Sequence, residues 1–189
     1  MKRSLVRWSG GAAVVGGVFW VIKAGAIMIT GDQPDYLFEF APLFFAVGLI
    51  GLHGQLEGLG GIVARAGGAL AYLSFVLSLL GAILYLSGSL ETSGESFNPL
   101  VFGSFLSVIV SLILLGIVYR RSEESAMKWQ SLPFILGVAA FPLMMVGGAV
   151  LEGINARLFE VPILVLGAGW MVLGAALASR PPNRLRAET

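Results

Sequence analysis

The chain has no cysteine. That absence removes disulfides, thiolate metal sites, iron–sulfur clusters and cysteine nucleophiles together, and it leaves the redox compartment open. Histidine is nearly as scarce. His53 stands alone, so no all-histidine metal site can form within one chain, and there is no H-E-x-x-H pair. A G-x-S-x-G elbow and a Walker A loop are also missing. Charge is in short supply. Charged residues make up 12% of the 189, about half the ~25% of a soluble domain, and the net charge is only +1. No RNP, zinc-finger or basic-helix pattern occurs, so nucleic acid is not an expected partner. With no catalytic, metal or cofactor motif in the chain, the expectation is a protein that is not an enzyme and carries no cofactor.

What the chain has in abundance is apolar surface. Apolar residues make up 57% of it, and the mean hydropathy is +0.88. In water such a composition would expose large apolar patches and aggregate, which places the chain in the membrane class. The hydrocarbon core is ~30 Å thick and needs roughly 20 apolar residues in a helix that crosses it. Apolar runs of that size recur at about 8–30, 36–54, 66–88, 98–119, 131–151 and 160–179, with Lys23 inside the first, Glu39 and Glu160 at the start of the second and sixth, and short polar connections between them. They are continuous and lack the alternation of barrel strands, and a helix satisfies its own backbone in lipid. The expected fold is therefore an all-α membrane protein, a six-transmembrane-helix bundle forming a single transmembrane domain over 1–189. The first run, about 22 residues behind the basic start Met1 to Arg7, is long for a signal-peptide core and is expected to remain as a span.

Basic residues in short loops stay on the cytoplasmic side. Lys2, Arg3, Arg7, Arg65, Arg120, Arg121, Lys128, Arg180, Arg184 and Arg186 all fall at one side of the six spans, while the connections on the other side carry only Arg157. Asp32, Asp35, Glu39, Glu91, Glu95, Glu152 and Glu160 fall on that second side. The consistent reading is a multi-pass protein of the cell (inner, cytoplasmic) membrane with both termini in the cytoplasm. His53, at the cytoplasmic end of the second span, reads as an interfacial polar residue, and the outer acids read as a solvated rim.

Even-numbered spans open alike, with Glu39 before Pro42, Glu95 before Pro99 and Glu160 before Pro162. Proline suits a first helical turn, and an acid suits the positive end of the helix dipole. Glycines recur early in the odd-numbered spans, so the pattern suggests three helix hairpins in series. Small residues also form stripes: Gly10, Gly17 and Ala24; Gly67, Ala71, Ser74 and Ser78; Gly103, Ser107 and Ser111; Gly167, Gly174 and Ala178. In lipid, close packing over small residues drives helix association. The stripes are expected to pack within one bundle. The alternative occupant is a second copy of the chain or a partner membrane protein, and membrane lipid is the remaining partner. Pro142, in the middle of the fifth span, is expected to kink it.

Lys23 is the anomaly. A charge at bilayer depth costs ~2.5–3.5 kcal/mol on insertion scales and usually faces the bundle interior. The candidate counter-charges are Glu39, Glu152 and Glu160, with Glu39 and Glu160 first. Together the four residues make a candidate ion-pair or ligand site. Snorkelling to the surface and a substrate or proton site are the other readings of Lys23. These residues favour a non-enzymatic membrane protein, an accessory subunit or a binder of lipid or a small apolar ligand. The alternative is a small-solute or ion transporter or channel using Lys23 and the outer-face carboxylates.

Overall fold

The computed structural model describes residues 3–32, 34, 37–56, 61–89, 99–122 and 129–179. Among these every regular element is helical. Six rods follow one another: α1 Arg3–Thr30, α2 Leu37–Gln55, α3 Gly61–Leu86, α4 Pro99–Arg121, α5 Leu132–Glu152 and α6 Val161–Ala178. A 3-10 turn, Ala156–Glu160, runs directly into α6. Five stretches among the described residues are long and apolar enough to cross a membrane by length and composition: α1, α3, α4, α5, and α6 together with its 3-10 turn. The chain is thus an all-α, multi-pass membrane protein. With 19 residues, α2 spans about 28 Å, just under the ~30 Å hydrocarbon thickness.

Helix ends differ from the apolar runs in an informative way. α1 and α3 begin at Arg3 and Gly61, each about a turn before its apolar run. Helical hydrogen bonding does not stop where hydrocarbon stops, and the exposed Arg7 and Arg65 ride on these extra turns. The three outer prolines are also not equivalent. Pro99 opens α4 and Pro162 sits in the first turn of α6, but Pro42 is the sixth residue of α2. α2 starts before its acid, so Glu39 lies inside the first turn, whereas Glu160 precedes α6 as its N-cap. Residues 91–98, with Glu91 and Glu95, lie outside the described residues, as do Lys2, Asp35, Lys128 and the C-terminal arginines Arg180, Arg184 and Arg186.

α1 packs most extensively on α6 and then on α2; α3 packs on α4; α2 also touches α3 and α4; α5 lies against α4. The first two hairpins are close pairs. In the third, α5 and α6 meet less extensively, because α6 takes α1 as its main partner and so closes the bundle. The small-residue stripes explain this choice. A Cβ on Gly17 would lie 2.5 Å from the Gly167 carbonyl oxygen, and one on Gly174 would lie 2.5 Å from the Gly10 carbonyl oxygen. Both helices carry glycine at a seven-residue spacing on one face, so their backbones touch. The stripe on α1 is spent on α6, within one chain.

Where α1, α2, α4 and α6 converge, four aromatic rings fill the core. Phe45 stacks on Trp170 with centroids 4.3 Å apart, and Trp20 meets Phe45 edge-on at 5.0 Å. Phe105 completes the group 5.5 Å from Trp20. Stacked and edge-to-face pairs add roughly 0.5–1.5 kcal/mol each beyond burial.

The α3–α4 contact is polar at its centre. The Ser74 hydroxyl donates to the Ser104 carbonyl oxygen at 3.1 Å, the hydroxyls of Ser78 and Ser104 are hydrogen-bonded, and Ser111 donates to the Gly67 carbonyl oxygen at 2.8 Å. Serine at these positions lets two backbones approach and leaves no hydroxyl stranded in hydrocarbon. In α5 the interruption expected at Pro142 takes the form of a π-turn. Leu143–Gly147 is π-helical, and the Gly148 N–H reaches back five residues to the Leu143 carbonyl. Proline has no N–H for the residue four before it, and a widened turn absorbs the mismatch.

The backbone contact between α1 and α6 generates a direct test. Gly17→Ala is expected to cost about 1–3 kcal/mol, as overpacking does. Gly11→Ala, on an exposed face with nothing within 4 Å, should be neutral or slightly stabilising. Reversible unfolding in mixed micelles measures both, and equal effects would show that the glycine contact is not what closes the bundle.

Candidate functional site

Lys23 lies seven residues before the end of α1, about 10 Å below its outer terminus at ~1.5 Å per residue. Glu160 ends the 3-10 turn and caps α6. Because glycine contact holds α1 against α6, these two side chains come together across 137 residues of sequence. The Lys23 ammonium donates to Glu160 Oε1 at 2.8 Å and to Oε2 at 2.9 Å. Their side chains are only 6% and 8% exposed. The carboxylate accepts both bonds from the amine and makes no cap bond to its own helix. It still sits at the positive end of the α6 dipole, which favours its charge.

A second tether acts at the outer end of the same interface. α1 ends at Gly31, whose φ of +88° is one that side chains with a Cβ rarely adopt. The Gly31 N–H donates to the Ile27 carbonyl, closing the last turn. Arg157 lies over Gly31, and its Nη1 donates to the Ile29 carbonyl at 3.2 Å. A cation bonded to the last carbonyls of a helix opposes the negative end of its dipole. The Asn155 side chain holds the Arg157 backbone by accepting its N–H at 2.9 Å. In the sequence Arg157 stands out only as the lone basic residue of the outer connections. The available signal was the Asn155-x-Arg157 spacing beside an acid-rich rim.

The four residues of the expected site separate. Lys23 and Glu160 are joined. Glu152 is exposed at the outer end of α5. Glu39 is half-buried in the first turn of α2, where its Oε2 is buried with no hydrogen-bond partner among the described residues. His53 packs its ring on Gly68, where a Cβ would lie 2.6 Å from the ring, so it serves the α2–α3 contact. Its Nδ1 is buried with no hydrogen-bond partner among the described residues. No three His, Asp or Glu side chains among the described residues converge as a metal ion would require.

No protein-family model, curated protein or solved structure matches the chain. Its chemistry therefore rests on geometry alone. An ammonium held on both oxygens of a buried carboxylate is a neutral tether between two helices. Removing either charge takes its full-charge partner from the other in a medium that solvates neither well.

This sets the expected behaviour of variants. Lys23→Met or Glu160→Gln alone should cost about 3–5 kcal/mol, the range for removing one partner of a buried pair. The double variant Lys23→Met with Glu160→Leu should recover most of the loss, since apolar packing replaces the pair without desolvation. A double-mutant cycle read from unfolding midpoints checks it. Additive losses would show that the two groups do not act on one another.

Proposed function

We propose that this is a non-catalytic multi-pass protein of the cell membrane, with both termini in the cytoplasm, that serves as an accessory subunit or a binder of lipid. The observation that carries the reading is the state of the buried charge pair found among the described residues. Lys23 and Glu160 satisfy one another, so the site supports a structural role better than capture of a solute. Transport sites need groups that exchange partners with substrate, usually near the midplane, and this pair lies toward the outer ends of its helices.

Two further features support it. The outward faces of α3 and α5 are apolar along their length, with Leu73, Val76, Ile83, Ile135, Val138 and Val146 exposed, as contact with acyl chains or a membrane partner requires. For orientation, the exposed Arg7, Arg65, Arg120 and Arg121 share one end of the bundle with the exposed Trp8 and Trp129. The clustered arginines support a cytoplasmic assignment for this end, and the tryptophans suit a membrane–water boundary on either side.

Two measurements test the proposal. A reporter fused after Arg186 should score as cytoplasmic, and an external score would overturn the orientation. Purified protein in proteoliposomes should show no proton or cation flux above empty vesicles. Flux that the Lys23→Met, Glu160→Leu double variant abolishes, while keeping its fold, would replace this reading with the transporter.

A further inference from the structure

The bundle has a cleft that the charge pair does not use. It lies between α4 and α5 at the arginine-rich end, measures about 410 Å³, and is lined by Ile117, Arg120, Arg121 and Phe134. We propose that it binds the phosphate of an anionic phospholipid headgroup. The inference deepens the lipid-binding reading, and rests on it only for the chain's place in a bilayer.

The cleft follows from local packing. A Cβ on Gly116 would lie 2.5 Å from the Phe134 backbone nitrogen, so only glycine lets α4 and the start of α5 come this close. That approach seats Phe134 on Gly116 and brings its ring under the guanidinium of Arg120, one turn further along α4, whose Cζ lies 4.8 Å from the ring centroid. A cation–π contact of this kind orients the planar guanidinium while its N–H groups stay available for oxygen acceptors. Arg121 is exposed beside it. The first turn of α5 faces the same region with the positive end of its dipole, and its N-cap Ser131 makes no side-chain cap bond.

Depth selects the ligand. Arg120 and Arg121 are the last two residues of a 23-residue apolar helix, so they emerge where hydrocarbon gives way to headgroups. Trp129, 54% exposed just before α5, belongs at that same level. Basic pockets between transmembrane helices at this boundary suit anionic headgroups. The two apolar lining residues, Ile117 and Phe134, and the exposed Ile135 on the next step of α5 give the site a hydrocarbon side. A free phosphate ion would gain nothing from that side, but a lipid keeps its acyl chains there.

The test uses the full chain in phosphatidylcholine nanodiscs, titrated with phosphatidylglycerol and read by retained lipid in native mass spectrometry. Inorganic phosphate and glycerol phosphate are tested in parallel by their effect on the unfolding midpoint. Phosphatidylglycerol should be retained at a discrete stoichiometry. Arg120→Gln with Arg121→Gln should weaken retention about tenfold or more, and Phe134→Leu should weaken it by a smaller factor. Arg65→Gln, at the same end but outside the cleft, should leave it unchanged. Unfolding midpoints in pure phosphatidylcholine identify any variant that is simply misfolded, and for such a variant the single Arg121→Gln change takes its place. Three results would overturn the proposal. One is no retention above phosphatidylcholine. Another is equal loss in Arg65→Gln, which would mean diffuse surface charge. The third is an equal response to inorganic phosphate, which would mean a soluble anion. None of these depends on whether the protein conducts ions, so the flux assay stands or falls separately.

Discussion

At four positions, Gly10, Gly17, Gly167 and Gly174, only hydrogen separates the backbones of α1 and α6. Nearly everything inside the bundle depends on that contact. It brings the N-cap of α6 to the level of Lys23, carries Trp170 under Phe45, and sets the turn before α6 against the C-terminal end of α1. Lipid offers no hydrophobic drive for helices to associate, so proximity has to be gained from van der Waals contact and from polar groups that find each other. Here glycine supplies the contact, and the ion pair forms where the contact has already been made.

Polar groups within the apolar layers are handled in three ways. The serines of α3 and α4 bond to one another and to a neighbouring carbonyl, at the ~0.6–2 kcal/mol scale typical of interhelical bonds in membranes. Lys23 and Glu160 cancel full charges, where the stakes are several times larger because each ion alone has no solvent. Pro142 removes a donor, and the π-turn beyond it redistributes the remaining hydrogen bonds. Only the second of these links helices far apart in the chain, and it is the one whose loss would be felt most.

The helices were legible in the sequence because each is a single apolar run, and lipid permits such a run little else. Lys23 was legible as an anomaly for the same reason. Its partner narrows to the outer acids, with Glu39 and Glu160 ahead of Glu152, but the sequence does not decide between those two. Periodicity tells which face of a helix is lined with small residues, but it does not say which helix that face will meet. Short connections pointed to α5 as the neighbour of α6. The seven-residue glycine spacings of α1 and α6, each visible alone, become decisive only when laid against each other. Arg157 and the Arg120–Phe134 contact were hidden for a similar reason. Both are made between segments whose separation in space does not follow from their separation in sequence.

The pairing of Lys23 with Glu160 has a consequence for how the protein is made. The two residues are 137 positions apart, so at ~5–20 residues per second the lysine emerges on the order of 10 seconds before its partner exists. During that interval α1 is in or beside the membrane without the carboxylate that holds Lys23 in the finished bundle. Hairpins α1–α2 and α3–α4 can associate meanwhile through contacts they already possess. The arrival of α6 then does two things at once: it supplies the missing carboxylate and seals the last gap in the bundle. The pair therefore forms only once α6 has been made, and a chain cut before α6 lacks the carboxylate that holds Lys23 in the finished bundle.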